Sequence, residues 1–377
     1  MHCVVRRSFG RVLLGSAIAL PGALATADPL YAVNVLGSAG SAASGINSAG
    51  TVVGSFAQAG ATHAFVSGST GFTDLGTLGG SNSHANGIND AGQIVGGAQN
   101  AAGQTHAFLF SGGSMGDLGT LGGSYSDAYA INNHGLIAGE SDAAGPSTAF
   151  PQAFGYAGGS MHPLGTLPGG EGSYAYAVNN HGLVGGASYE GPPTIPEYPY
   201  YAVTYSDGAV QRLGSLADTA QSLIRGLNDL GQAVGGVRDG SFAHASHAFL
   251  YDHGAVIDIG YLDASVDDST AWDINNLGQI VGTSAVTLDP EHYGYHGFLY
   301  TTAGLVDLNT LIDPALGLQI TDAASINDAS QIAATACRGS GGECYAVRLD
   351  LVPAVPEPAS WALLAGGLGM LGMRRRR

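Results

Sequence analysis

Gly87-Ile88-Asn89-Asp90-Ala91-Gly92-Gln93-Ile94-Val95-Gly96 reads as a branched apolar residue, an Asn, two further residues, a Gly and a short apolar run. The 377-residue chain writes this word seven times. The other copies are GINSAGTVVG from Gly45, AINNHGLIAG from Ala130, AVNNHGLVGG from Ala177, GLNDLGQAVG from Gly226, DINNLGQIVG from Asp273 and SINDASQIAA from Ser325. The Asn stands at 47, 89, 132, 179, 228, 275 and 327, a period of 42 to 52 residues. Repeats of that length mean stacked or ring-closed supersecondary units.

Two more words belong to the unit. HAF occurs at 63–65, 106–108 and 247–249, with weaker copies at Gln152, Tyr201, His296 and Tyr345. DLGTLGG is intact at 74–80 and 117–123 and survives from Pro163, Arg212, Asp258 and Asp307. The first residue of HAF precedes the first residue of this word by 11 in all six pairs. The spacings from Asn to HAF (16 to 22) and from DLG to the next Asn (15 to 20) drift instead. A fixed spacing predicts a hairpin with a short turn, and a drifting one predicts a loop that tolerates insertion.

The Asn word is itself a hairpin, because Asn caps turns and Gly supplies positive φ. Each unit therefore holds four short antiparallel strands, named A (before Asn), B (the IVG run), C (HAF) and D (DLG). Four strands per 40 to 50 residues is the blade of a β-propeller, so the expected fold is all-β, a seven-bladed propeller over residues 28–352. Strand C occurs seven times, but only six copies have a D strand after them. Tyr31–Gly37 is the missing one. It is expected to pair with Tyr345–Leu351, closing the ring and covering an exposed edge. In a meander blade the A–B and C–D turns share one face, so both variable loops collect on the other.

The ends read as addresses. Arg6, Arg7 and Arg11 precede the apolar run Val12 to Leu20, and Ala25-Thr26-Ala27 is a small-residue cleavage site, so 1–27 is expected to be an export signal. At the other end Pro356-Glu357-Pro358 leads into the uncharged Ala359–Met373 and then four arginines. That run is short for a bilayer span, and the arginines hold the end in the cytoplasm. Segment 353–377 resembles the PEP-CTERM sorting signal of Gram-negative bacteria. The resemblance implies transient inner-membrane anchoring, processing by an exosortase-type protease, and delivery to the cell surface or an exopolysaccharide matrix. Residues 31–350 resemble the HAF family of probable extracellular repeats, whose activity is not established.

Five arginines stand against 29 acidic residues in 28–373, a formal charge of −24. That excludes nucleic acid, which needs a basic face to neutralise phosphate, and disfavours anionic lipid. Cys337 and Cys344 flank RGSGGE and are expected to form a disulfide in an oxidising compartment; their spacing does not suit a metal pair.

Most repeated residues read as structural. The HAF histidines, spread around a ring, are too far apart to share a metal and fit a strand-end hydrogen bond. The Asn satisfies turn amides. No metal or cofactor is expected; the cation candidate is calcium at Asp263, Asp267 and Asp268, although their spacing does not match a calcium loop and a solvated loop is the simpler reading. One position breaks the pattern. Three residues before the Asn stand Ser44, Asn86, Tyr129, Tyr176, Arg225, Trp272 and Ala324. Tyr129, Tyr176, Arg225 and Trp272 fall on consecutive blades at the variable-loop end of the innermost strand. Aromatic faces and Arg are common in ligand contacts, so these four are the candidate binding residues, with inter-blade packing as the competing role. The insertion Tyr189–Tyr201, carrying Glu190, Glu197 and Tyr198, belongs to the same face.

No nucleophile elbow, HExxH or phosphate loop occurs. The reading is a non-catalytic exported protein that binds a polysaccharide or a surface protein through the variable-loop face. The alternatives are a carbohydrate-active hydrolase or lyase on the same scaffold and a purely structural matrix component. An acid pair, or a Tyr/His/Arg set with shifted pKa values, would favour the enzyme; exposed aromatics in a smooth pocket would favour binding; absence of a pocket would favour the structural role.

Overall fold

A computed structural model describes residues 30–68, 71–145, 150–190, 199–214, 221–238, 246–289, 292–339 and 342–352. The export segment 1–27, the tail 353–377 with Pro356, Glu357 and Pro358, and the loop residues Glu197 and Tyr198 lie outside them.

The chain is a closed seven-bladed β-propeller: seven four-stranded antiparallel sheets stand among the described residues. Blade 1 shows the plan, with A at Ser41–Ile46, B at Val52–Gln58, C at Ala61–Gly68 and D at Gly71–Asp74. The A strands of blades 2 to 6 begin at Gly79, Gly122, Ser173, Gln221 and Ser269. Blade 7 takes A, B and C from Gln319–Ile326, Ile332–Cys337 and Cys344–Leu351, and D from Tyr31–Val35 at the front of the chain. Tyr31 faces Leu351 and Val35 faces Val347 in one uninterrupted register. Tyr31, 1% exposed, is buried among Leu299, Leu308, Ile320 and Leu349.

In one respect the strands differ from the expectation. In blades 1, 2 and 6 strand D ends at the Asp of DLG and does not run through the word, whereas in blade 5 it continues to Gly260. Asp74 accepts the Gly76 N–H at 2.8 Å, and Gly76 sits at φ +76°, so the carboxylate itself turns the chain out of the sheet. The rest of the word is the D–A connection, anchored by buried Leu75.

The core lies between blades. Each apolar cluster joins neighbouring sheets, as where Val234 and Ala248 of blade 5 meet Ile274, Ile280 and Phe298 of blade 6. The HAF phenylalanines Phe65, Phe108, Phe154 and Phe298 are wholly buried. They explain the Gly of IVG. A methyl carbon on Gly139 would stand 2.1 Å from the Asp127 carbonyl and 2.7 Å from the Phe154 ring.

One closed ring and two six-membered series of hydrogen bonds tie the blades together. Each repeated Asn uses Oδ1 to accept its own turn: Asn89 takes the N–H groups of Ala91 and Gln93. Its Nδ2 then donates to the carbonyl of the next blade's Asn. The series runs 47 to 89, 132, 179, 228, 275 and 327, and Asn327 donates to Asn47 at 2.9 Å, closing the circle. One residue on, Ser48, Asp90, Asn133, Asn180, Asp229 and Asn276 donate backbone N–H to the side-chain oxygen of the corresponding residue in the next blade. The third series uses a Ser six residues before the Asn in blades 1 to 6, where blade 7 has Thr321. Ser83 Oγ accepts the N–H of Ala64 in the preceding HAF and donates to the Gly76 carbonyl of the preceding DLG. Ser126, Ser173, Ser222, Ser269 and Ser41 accept likewise.

Candidate functional site

Strand A lines the axis in every blade, and its turn with strand B carries the Asn ring at one end of the channel. The D–A and B–C loops gather at the other end. There a cavity of about 340 Å³ opens, lined by Ala43, Ser44, Asn86, Tyr129, Tyr176, Arg225, Trp272, Asp322 and Ala324. Seven of these are the residues three before the Asn, one from each blade. Tyr129, Tyr176, Arg225 and Trp272 form one continuous half of the wall, and the rest is made of the shorter side chains of Ala43, Ser44, Asn86, Asp322 and Ala324.

The aromatic half is built by contact. Tyr129 and Tyr176 lie 4.9 Å apart between ring centroids, tilted by 57°, and Tyr174 stacks on Tyr176 at 5.6 Å. The Arg225 guanidinium carbon is 4.2 Å from the Tyr176 ring centroid and 5.2 Å from that of Trp272, a geometry in which the ring faces attract the cation. Trp272 donates its indole N–H to Thr283 Oγ1 at 3.2 Å.

Around this wall stands a set of ionisable groups. Glu140, 7% exposed on strand B of blade 3 (Ile137–Ala143), accepts the Tyr129 hydroxyl at 2.8 Å. Its register partner across the sheet is Asp127, also buried, so two carboxyls face each other on adjacent strands. Asp127 is held by His84 Nε2 at 2.8 Å and Asn86 Nδ2 at 3.0 Å. Burial pushes the Glu140 carboxyl up, and it pushes the Tyr129 and Tyr176 phenols far above their ordinary range. Burial alone would lower His84; the hydrogen bond and charge of Asp127 outweigh it and raise the imidazole. Asp322 is pushed up to about 6, chiefly by burial. Three enclosed polar atoms in this set, Glu140 Oε2, Arg225 Nε and Asp322 Oδ1, have no hydrogen-bond partner among the described residues.

The structure thus places the four candidates Tyr129, Tyr176, Arg225 and Trp272 in one cavity. Glu140, Asp127, His84, Tyr174 and Asp322 escaped the sequence reading. Their signals were present: Glu140 fills a strand-B slot that holds Ser55, Gly97, Ala187, Gly236, Thr283 and Thr335 in the other blades, and the rest stand five before the Asn, where the copies also disagree.

The HAF histidines stand away from this cavity. His63, His106, His247 and His296 each meet the Asp eleven residues on, Asp74, Asp117, Asp258 and Asp307, at 2.7 to 3.0 Å through Nδ1. Where blade 4 has Tyr201 for the His it has Arg212 for the Asp, and the guanidinium lies 3.5 Å from the Tyr201 ring centroid while bonding Glu190 at 3.1 Å. Asp263 is engaged by Ser265 and Thr287, and Asp268 by Ser246 and Tyr295. Among the described residues no group of three metal-type ligands converges. Cys337 and Cys344 are joined by a disulfide.

Three solved structures are similar in fold. The β-propeller domain of the Trilobed protease from Pyrococcus furiosus, described with an open velcro topology, matches 84% of this chain and 99% of its own at 8% identity and TM-score 0.48. A puromycin-hydrolyzing peptidase of Mycobacterium tuberculosis matches over 88% and 55%, at 10% identity and TM-score 0.43. TolB from Acinetobacter baumannii matches over 60% and 51%, at 14% identity and TM-score 0.39, so the chain spans about half of that protein's length. No curated protein matches the chain. Residues 354–377 match the PEP-CTERM protein-sorting motif, which marks the chain for export to the cell envelope or surface.

Proposed function

We propose that this chain is an exported surface or exopolysaccharide-matrix protein that binds a saccharide in the variable-loop cavity. The observation that carries the reading is the cavity's two-sided chemistry. Flat rings (Tyr129, Tyr176, Trp272) offer surfaces for the apolar faces of sugar rings. Glu140 Oε2, Arg225 Nε and Asp322 Oδ1 wait beside them without partners, and sugar hydroxyls both donate and accept. Unmade hydrogen bonds of this kind are costly unless a ligand completes them, and an apolar pocket with a few convergent polar groups is the usual form of a small-ligand site. The sorting motif and the resemblance to extracellular HAF repeats agree with a ligand met outside the cell. In this reading an exosortase-type protease of a Gram-negative bacterium processes the tail at Pro356-Glu357-Pro358 after transient anchoring. A purely structural role gains nothing from the cavity.

A second reading, a hydrolase or lyase, draws on the raised carboxyl of Glu140 beside the His84–Asp127 pair and the raised carboxyl of Asp322 in the cavity lining. A glycan array run beside a product assay on exopolysaccharide separates the two. The binding reading expects saturable retention of specific glycans without product, lost at least tenfold in Trp272→Ala. Product that disappears in Glu140→Gln would replace it with the enzyme. Absence of any glycan binding would remove both.

A further inference from the structure

The cavity's cation makes no direct ion pair among the described residues, although Asp322 lines the same cavity. Of the five arginines in 28–373, Arg212 is paired with Glu190 and Arg348 with Asp350, whereas Arg238 and Arg338 form no ion pair among the described residues. Arg225 forms no ion pair among the described residues, although the segment carries 29 acidic groups. It is held instead by ring faces, with Tyr176 on one side and Trp272 on the other, and its Nε is enclosed without an acceptor. Stacking of this kind fixes the plane of the guanidinium while leaving its fork of N–H donors unused, and that fork fits the paired oxygens of an oxyanion. A chain with so many carboxylates that keeps this arginine unpaired in its cavity is keeping it for an anion from outside.

We infer that the saccharide is acidic: the cavity takes a sugar bearing a carboxylate or a sulfate, whose oxygens lie in the fork of Arg225 while the sugar ring packs against the aromatic wall. The inference rests on the saccharide reading above and adds the ligand's charge. It also accounts for how so acidic a protein would discriminate. At long range the body repels a polyanion, and salt screens that repulsion within about 8 Å at physiological ionic strength. An enclosed contact to Arg225 is screened far less. Acidic chains would therefore be held only where a residue reaches the fork, and not by general adsorption.

Calorimetric titration of the full-length chain tests this with four probes: a hexuronate oligomer, the same oligomer with its carboxyl groups reduced to alcohols, a neutral glucan oligomer, and that glucan sulfated. The expected result is about tenfold tighter binding of one anionic probe over its neutral twin. The affinity should not weaken when salt is raised. Arg225→Gln should erase the preference between each anionic probe and its neutral twin, and Arg225→Lys, which keeps the charge without the fork, should restore only part of it. The pair in which the preference occurs identifies carboxylate or sulfate. A thermal melt of both variants confirms that they fold. Equal or tighter binding of the neutral twins by the native chain overturns the inference and leaves the saccharide reading standing. Failure of all four probes to bind overturns both.

Discussion

At the scale of single residues, repetition and chemistry separate. Six of the seven Asn side chains satisfy two turn amides and a neighbouring carbonyl in a buried ring, and Asn47 satisfies one amide and the carbonyl. Asn132→Ala removes all three bonds at once, and the groups left behind are enclosed. We expect a loss of about 2–3 kcal/mol in urea or guanidinium unfolding; a loss below about 0.5 kcal/mol would show that the ring bears little load. Asp322 makes the opposite prediction. Its folded pKa, about 6, lies above the ordinary carboxylate value. The folded state therefore binds the extra proton between about pH 4 and pH 6. Stability from this group rises as pH falls through 6, and the penalty for charging it is complete above 6. Asp322→Asn should match the native chain at pH 4 and exceed it by about 2–3 kcal/mol at pH 8. A difference that does not change with pH would contradict the assignment. Asp74 and Asp307 run the other way: burial opposes their ionisation, but hydrogen bonds from Gly76 and His63, and from His296 and Asn309, hold both below the ordinary range. Their contribution is present at neutral pH and lost below about pH 4.

At the scale of the element, the constant spacing of 11 has a physical cause. In four blades it is the distance along the C–D hairpin from the His of HAF to the Asp that receives its Nδ1–H, and in blade 4 from Tyr201 to the Arg212 stacked on it, so an insertion there would break the pair. The sequence showed the hairpin because the spacing is local. It did not show the Asn ring or the Ser series, because the Asn-to-carbonyl and amide-to-Ser bonds join residues in different blades, 19 to 52 positions apart in all but the closing contacts. Nor did it mark Glu140 as a partner of Tyr129, since that contact depends on which way strand B turns its side chain. Tyr31–Val35 was legible because a D strand was missing from the count. Its anchoring side chain gives the element-scale prediction: Tyr31→Ala should cost about 3–4 kcal/mol, the usual price of emptying a buried aromatic site. A cost near zero would mean that the ring does not depend on this closure.

At the scale of the molecule, the closed ring makes the position of the chain ends incidental to the fold. Val352 N donates to the Leu30 carbonyl at 2.9 Å, so the two ends of the described chain are adjacent. A circular permutant joining 352 to 30 through a short Gly linker, and opened in the exposed turn at Ala102–Gly103, should keep the β-rich circular dichroism spectrum and melt within about 5 °C of the native chain. Loss of the fold would show that the N-terminal strand is needed for more than pairing. The ring also sets where function can lie. Seven near-identical words fix the turn end of the channel, and the seven residues three before the Asn differ at the other. Trp272 stands there, and the chain's second tryptophan is Trp361 in the tail. The direct test is therefore the fluorescence of a Trp361→Phe variant titrated with the hexuronate and glucan oligomers and the sulfated glucan. The account predicts a saturable change in Trp272 emission with at least one of them, abolished when Tyr176 is replaced by Ala; emission that stays flat through millimolar concentrations of all three would contradict it.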